Sequence, residues 1–397
     1  MTTTTNGPSP SELRARAVAM QAALAERVTE ADRLRRVPDA TIAAFRDAGF
    51  FRMLQPARWG GLEVDPQVFF DVQATVGAAC ASSAWVLGVL GVHAWQLALF
   101  PLEAQQDVWG QDPNTLISSS YAPTGKVTRE PGGFQLSGRW SFSSGCDHGQ
   151  WAFLGGLVPP PAGLAGPPEM RTFLVPRKDW RIEDNWHVMG LKGTGSKDVV
   201  IDGCFVPEHR THRLIDGFKR NSPGNEVNKA PLYKLPFGQV FVRSVSTTAI
   251  GIAQSALDAY RKNTASRIAA SDGAKVALDP SAQVVAAHAA GVIEDLRGTL
   301  HRNFDEMMAA VRAGEDLPLE RRLKFRMDSS LVAVRCAEVV DALFTESGGR
   351  AIFDGSPLQR AFLDIHAARA HYANNPEKPS RNFGGVLLGQ KNADYFV

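Results

Sequence analysis

The chain has 397 residues, 44% of them hydrophobic and 21% charged, with a formal net charge of +2. This is the balance of an average soluble protein, long enough for two or three domains or one large multilayer unit. With no long basic or acidic block, nucleic acid and acidic surfaces are not favoured as partners.

The start, MTTTTNGPSPSE, has neither a basic region nor an apolar core, so it is expected to be a short disordered tail rather than a signal peptide. Residues 11–50 predict helices. The first opens at Ser11 and Glu12 and runs with helical apolar spacing to Val37, and Pro38 and Asp39 open a second that ends at Gly49. QPARWGGLEVD then predicts a loop. From Val72 to Leu102 there is no Asp, Glu, Lys or Arg, a span long enough to cross a bilayer. It contains Gln73, Thr75, Ser82, Ser83, His93 and Gln96, which points instead to a helix pair buried in a large helical protein and to no membrane partner.

The texture changes near Asp112 and Pro113. Short runs such as TLISSSY, GKVTRE, GGFQLSGRWSFSS, WAFLGGLV, RTFLVP and KDVVIDGCFVP predict an antiparallel β domain to about Pro207. Helix returns near Phe237 in three long amphipathic runs that suit an antiparallel bundle. The expected domains are an N-terminal helical domain over 1–112, a central antiparallel β domain over 113–215 and a C-terminal helical bundle over 216–397, an α+β chain.

Four cysteines, at 80, 146, 204 and 336, form no Cys-x-x-Cys pair and stand near no His-x-x-x-His. No metal site is expected, and a reduced, cytoplasmic protein is the simple reading. Cys146, Asp147 and His148 stand together, but three successive residues on a strand point to alternating faces and cannot ligate one ion, so a structural role is expected. No Gly-x-Gly-x-x-Gly follows a strand, and the glycines of GLKGTGS are in the wrong order for a dinucleotide loop.

GFFRMLQPARWGGLEVDP, ISSSYAP, GRWSFSSGCDHGQW, GLKGTGSKDVVIDGCFVP, APLYKLPFG and PLQRAFLDIHAARAHYANNPE together resemble the acyl-CoA dehydrogenase fold. More closely, the chain is similar to the oxygenase components of two-component flavin-dependent monooxygenases built on that fold, those that hydroxylate 4-hydroxyphenylacetate or a phenolic seco-steroid. The resemblance covers nearly the whole chain. It implies a hydroxylase of a phenolic or other small aromatic substrate that uses reduced FMN or FAD and O2 through a flavin hydroperoxide. A separate NAD(P)H:flavin reductase would supply the reduced flavin, and the oxygenase would be a homotetramer.

The resemblance also implies roles for residues. Dehydrogenases of the fold carry a catalytic glutamate after an Arg-Asp pair. Here Asp364 matches that aspartate, whereas the glutamate position falls near Tyr372, which cannot remove a proton at neutral pH. Beside it, His371 matches the histidine that takes the phenol proton in the related hydroxylases, a task suited to its ordinary pKa. Ser144 matches a serine at flavin N5, where a hydroxyl in a dry site slows peroxide loss. Phe142 and Ser143 flank it. Ser119, Ser120 and Tyr121 align with the strand at the pyrimidine edge of the ring, Arg267 with a flavin-phosphate arginine, and Gly348 and Gly349 with a glycine turn from a neighbouring subunit. Asn375 stands where related enzymes have an aspartate, keeping the hydrogen-bonding capacity without the charge.

Trp85 and His93 are candidates to line the substrate pocket, with Trp85 and Trp95 equally readable as core; a histidine in an uncharged helix calls for a partner. The remaining alternatives are an N- or S-oxygenase on the same scaffold, an acyl-CoA dehydrogenase and a non-enzymatic helical assembly protein.

Overall fold

A computed structural model describes residues 7–268 and 273–397 of the chain. The expected tail lies in part outside the described residues. Within them the first helix, α1 (Pro10–Glu26), already begins, capped by Ser9. The Ser9 hydroxyl accepts from Glu12 N at 3.3 Å and the Glu12 carboxylate accepts from Ser9 N at 2.6 Å, a reciprocal cap that satisfies two otherwise unpaired donors. The single helix expected to run to Val37 is broken at Arg27, where the backbone tightens to a bond with Leu24 O at 3.2 Å, and α2 (Val28–Leu34) follows. α3 spans Asp39–Asp47, and Gly49 leaves it with φ +81°.

The uncharged stretch lies in the second half of α4 (Pro66–Ala79), just past Asp71, and in α5 (Ala81–Leu97), joined by the extended residue Cys80; every residue of α5 is buried. Among the described residues no helix is long and apolar enough to cross a membrane. The buried polar groups are used for fastening: Gln73 on α4 donates to Ser244 O at 2.5 Å and Thr248 Oγ1 at 3.0 Å. α6 spans Leu102–Trp109.

Seven strands follow: β1 (Ile117–Glu130), β2 (Gly133–Ser143), β3 (Trp151–Val158), β4 (Glu169–Pro176), β5 (Arg181–Glu183), β6 (Lys197–Pro207) and β7 (Thr211–Arg213), in the order β5-β6-β2-β1-β3-β4-β7. The expectation of a wholly antiparallel sheet is corrected at one pair, since β1 and β3 run parallel. TLISSSY and GKVTRE are one long strand. Its first half pairs with β3 (Ile117 opposite Trp151) and its second half forms a hairpin with β2 (Glu130 opposite Gly133), with an irregularity between Ser120 and Gly125. Trp140 fills the core of this layer and donates from Nε1 to Gly155 O at 2.8 Å.

After α7 (Leu214–Lys219) the chain forms α8 (Phe237–Ser266), α9 (Pro280–Ala313), α10 (Leu319–Ser347), α11 (Pro357–Arg369) and α12 (Glu377–Leu387). α8 is buried almost continuously from Phe237 to Ala253 and packs against α4, α5, α10 and α11. One hydrophobic core joins the N-terminal helices to this bundle, and a second lies within the sheet. The end of β2, the loop before β6, α5 and the turn after α11 meet where these cores adjoin.

Candidate functional site

Trp85 on α5, Ser144 just past β2 and His371 in the turn after α11 come together. The indole Nε1–H of Trp85 donates to Ser144 Oγ at 3.0 Å, and the ring of Trp85 meets that of His371 edge to face, with centroids 5.4 Å apart. Trp85 is therefore buried and polar in function, whereas Trp95 is core, donating to Leu232 O at 2.8 Å.

His371 caps the short turn that follows it. Its Nδ1 accepts the backbone N–H of Ala373 at 3.1 Å. An amide nitrogen can only donate here, so in the neutral ring the proton sits on Nε2. Burial first, and then the charge of Arg326, lowers the His371 pKa to about 4. The ring is neutral near pH 7 and presents an Nε2 donor; taking a proton on Nδ1 would break the turn's hydrogen bond.

Ser144 lies in a chain of hydroxyls that sequence reading missed. Ser144 Oγ is 2.7 Å from Ser196 Oγ, Ser196 Oγ is 2.7 Å from Thr194 Oγ1, and Thr194 Oγ1 donates to Leu191 O at 2.9 Å. All three hydroxyl residues are buried. GLKGTGS is thus the loop that presents a hydroxyl pair to Ser144. Gly195 has φ +53°, and a Cβ there would fall 2.8 Å from Asp147 Oδ2 and 2.9 Å from Arg35 O, so only glycine permits this close approach.

Cys146, Asp147 and His148 form a turn of 3-10 helix, not a strand, so the alternating-face argument does not apply to them. Each has a partner: Cys146 Sγ donates to Gly195 O at 3.6 Å, Asp147 pairs with Lys197 at 2.9 Å, and His148 Nε2 donates to Val37 O at 2.9 Å. They pin the loop behind Ser144.

The expected pyrimidine-edge residues divide. Ser120 donates to Ser141 O at 2.7 Å, while the Tyr121 hydroxyl donates to Gln96 Oε1 and faces α5 with Ser119. Phe142 holds a left-handed backbone (φ +65°), is exposed and lies 6.0 Å from the ring of Trp186; the Ser143 hydroxyl is buried without a protein partner among the described residues. His93, eight residues beyond Trp85 and so about 12 Å along α5, is in contact with Ile117, Tyr121 and Phe153, not with Trp85, Ser144 or His371. Its Nδ1 donates to Ile117 O at 2.5 Å, which leaves Nε2 a buried acceptor without a partner among the described residues.

Arg267 closes the C-terminal end of α10, donating to Ser347 O at 2.9 Å and Glu346 O at 3.3 Å, beside Gly348 with φ +65° and next to Gly349. Asn375 is exposed and accepts from Glu377 N at 2.9 Å, capping α12 rather than reaching His371. Arg243 on α8, which sequence reading also missed, is buried with both terminal nitrogens unpartnered among the described residues; burial lowers its pKa to about 10. Its signal was a lone cation in the apolar run FGQVFVRSVSTTAIG.

The donor set fits a flavin. A flat heteroaromatic ring with carbonyl and ring-nitrogen edges needs hydroxyl and amide partners along an apolar wall, and a phosphate needs a cation. Ser144, bonded to Trp85, and the neighbouring unsatisfied Ser143 hydroxyl would hold the ring edge, and Arg267 at the Gly348–Gly349 turn is a cation that would hold the phosphate.

Comparison with known proteins agrees with the architecture. Residues 12–112 match the acyl-CoA dehydrogenase N-terminal domain and residues 244–376 its C-terminal domain. The chain is 42% identical to the flavin-dependent monooxygenase oxygenase subunit HsaA of Rhodococcus jostii, over 94% of this chain and 97% of that one. It is 34% identical to the oxygenase component of the FADH2-dependent resorcinol hydroxylase of a Rhizobium species, over 91% of this chain and 90% of that one. The crystal structure of 3-HSA hydroxylase from Rhodococcus sp. RHA1 superposes with a TM-score of 0.93 at 41% identity, covering 97% of this chain and 99% of that one.

Proposed function

Because the chain belongs to the oxygenase components of flavin-dependent monooxygenases, on the acyl-CoA dehydrogenase fold, we propose that its site hydroxylates a phenolic ring with Ser144 at flavin N5 and His371 at the phenol oxygen. Held at Ser144, reduced FMN or FAD would supply the activation of O2 and the two electrons by which one oxygen atom enters the ring and the other leaves as water. Its relatives are named as oxygenase subunits or components, which supports a separate reductase as the source of the reduced flavin. A cytoplasmic location goes with a reductase that draws on NAD(P)H.

One observation carries the assignment: a single side chain, Trp85, touches both Ser144 and His371. A flavin against Ser144 and a substrate against His371 would then share one aromatic wall. His371 offers Nε2–H, which holds a phenolate oxygen by donation, and a phenolate is the stronger carbon nucleophile. Proton acceptance by this ring would need the bond to Ala373 to open first. The dehydrogenase alternative is disfavoured because Tyr372 is exposed against Lys378, and Asp364, the aspartate that precedes this segment, is held by Leu191 N at 2.6 Å. We also read a homotetramer, for which the exposed Ile352, Phe353, Leu387 and Leu388 supply apolar surface and the Gly348–Gly349 turn an approach to a neighbour's flavin.

The test is to supply chemically reduced flavin and a panel of phenols, amines and thioethers, and to measure product and hydrogen peroxide together. Phenols should give hydroxylated product, and Ser144→Ala should divert about tenfold more of the reduced flavin to peroxide, the worth of one hydrogen bond. Product from amines or thioethers alone would sink the phenol reading.

A further inference from the structure

We propose that Ser196 and Thr194 are positioning residues that fix Ser144 as a hydrogen-bond acceptor, so that the site selects a flavin carrying a proton on N5. The proposal rests on the reading that Ser144 lies at flavin N5.

The direction of the hydroxyl chain follows from its far end. Leu191 O can only accept, so the Thr194 hydroxyl hydrogen is used there, at 2.9 Å. A hydroxyl has one hydrogen and two lone pairs. Ser196, 2.7 Å from Thr194, must therefore donate to it. With its hydrogen spent, Ser196 can only accept from Ser144, 2.7 Å away. Ser144 thus gives its hydrogen to Ser196 and receives one from Trp85 Nε1 at 3.0 Å. What remains free on Ser144 is one lone pair. The chain cannot relax easily, because Gly195 is wedged between Asp147 and Arg35 and all three hydroxyl residues are buried.

A lone pair facing N5 discriminates between redox states. Reduced flavin has an N5–H that donates to it; oxidised flavin has a bare N5 whose own lone pair opposes it. The same chain ends at a backbone carbonyl, which is not a base, so it holds the N5 proton without carrying it away.

Anaerobic titration of the full-length protein with reduced and oxidised FMN and FAD reads this without turnover. Wild type should bind the reduced form more tightly. In Ser196→Ala the Ser144 hydrogen is released to turn toward N5, so oxidised flavin should bind more tightly and reduced flavin less, and the ratio of the two dissociation constants should shrink about tenfold. Thr194→Val, which keeps the shape, should move the ratio the same way by less, and Ser196→Thr, which keeps the hydroxyl, should restore it. A ratio unchanged in both Ser196→Ala and Thr194→Val while Ser144→Ala alters it overturns the proposal alone. If Ser144→Ala leaves both dissociation constants unchanged, Ser144 is not at N5, and that reading and the proposal fall together.

Discussion

The Asp364 carboxylate accepts the backbone N–H of Leu191 at 2.6 Å, tying α11 to the loop that carries Thr194 and Ser196. The helix that leads into His371 and the loop that carries the hydroxyl chain are therefore joined by one buried bond. Burial is the main cause that raises the Asp364 pKa, to about 6. Asp364→Asn keeps a carbonyl acceptor and should fold normally. Asp364→Ala orphans a buried N–H and should cost about 1–3 kcal/mol, read as a lower urea midpoint. The raised pKa also has a sign: the folded state holds this proton better than the unfolded chain, so stability from this group is full below about pH 4 and lost as pH rises through about 6. Asp364→Asn should remove that limb.

His371 is expected to act as a donor that does not titrate in the working range. With its pKa lowered to about 4, the product formed per flavin oxidised should be flat from about pH 6 to about pH 8, with no limb near the ordinary histidine value. His371→Ala should lower product about 10- to 100-fold while reduced flavin is still oxidised, the electrons going to peroxide. A limb near pH 6.5 that disappears in His371→Asn would show instead that the ring cycles its proton.

Two other buried histidines predict acid sensitivity. Burial lowers His93 and His212 to about 4 each. The unfolded chain takes up their protons near the ordinary value while the folded protein does not, so stability falls as pH drops from about 6.5 to about 4. Each should contribute a slope approaching about 1.4 kcal/mol per pH unit in that window. This runs opposite to Asp364. Thermal melts across the window should show Tm falling with acid, and His212→Asn, which can keep a bond to Ser222, should flatten the fall.

Much of this was legible in the sequence because the signals were long. The charge-free run from Val72 through α5, the alternating runs of β1 to β4 and of β6, and the amphipathic α8 to α10 each span enough residues for their period to show. Ser144 and His371 were also singled out, by resemblance, and Trp85 as an aromatic face in an apolar helix. Their shared contact was not, because it joins residues 59 and 227 positions apart through tertiary packing. The parallel pairing of β1 with β3 was hidden because alternation is the same for either direction. Thr194 and Ser196 were hidden because hydroxyls among glycines read as a turn. Asn375 shows the converse: a polar residue in a suggestive place, used locally to cap α12.

The division of β1 between two partners also bears on how the chain finds its shape. Its second half closes on β2 across the turn between Glu130 and Gly133, whereas its first half must wait for Trp151, 34 positions from Ile117. Closing the short loop costs less entropy and takes less time, so the hairpin should form first and serve as the template on which β3 later aligns. In pulse-labelling hydrogen exchange, the amides of 126–130 should gain protection before those of 117–120. Ser118 to Ser120 and the end of β2 would then become ordered late in folding, among the last segments to settle before the protein can hold a flavin.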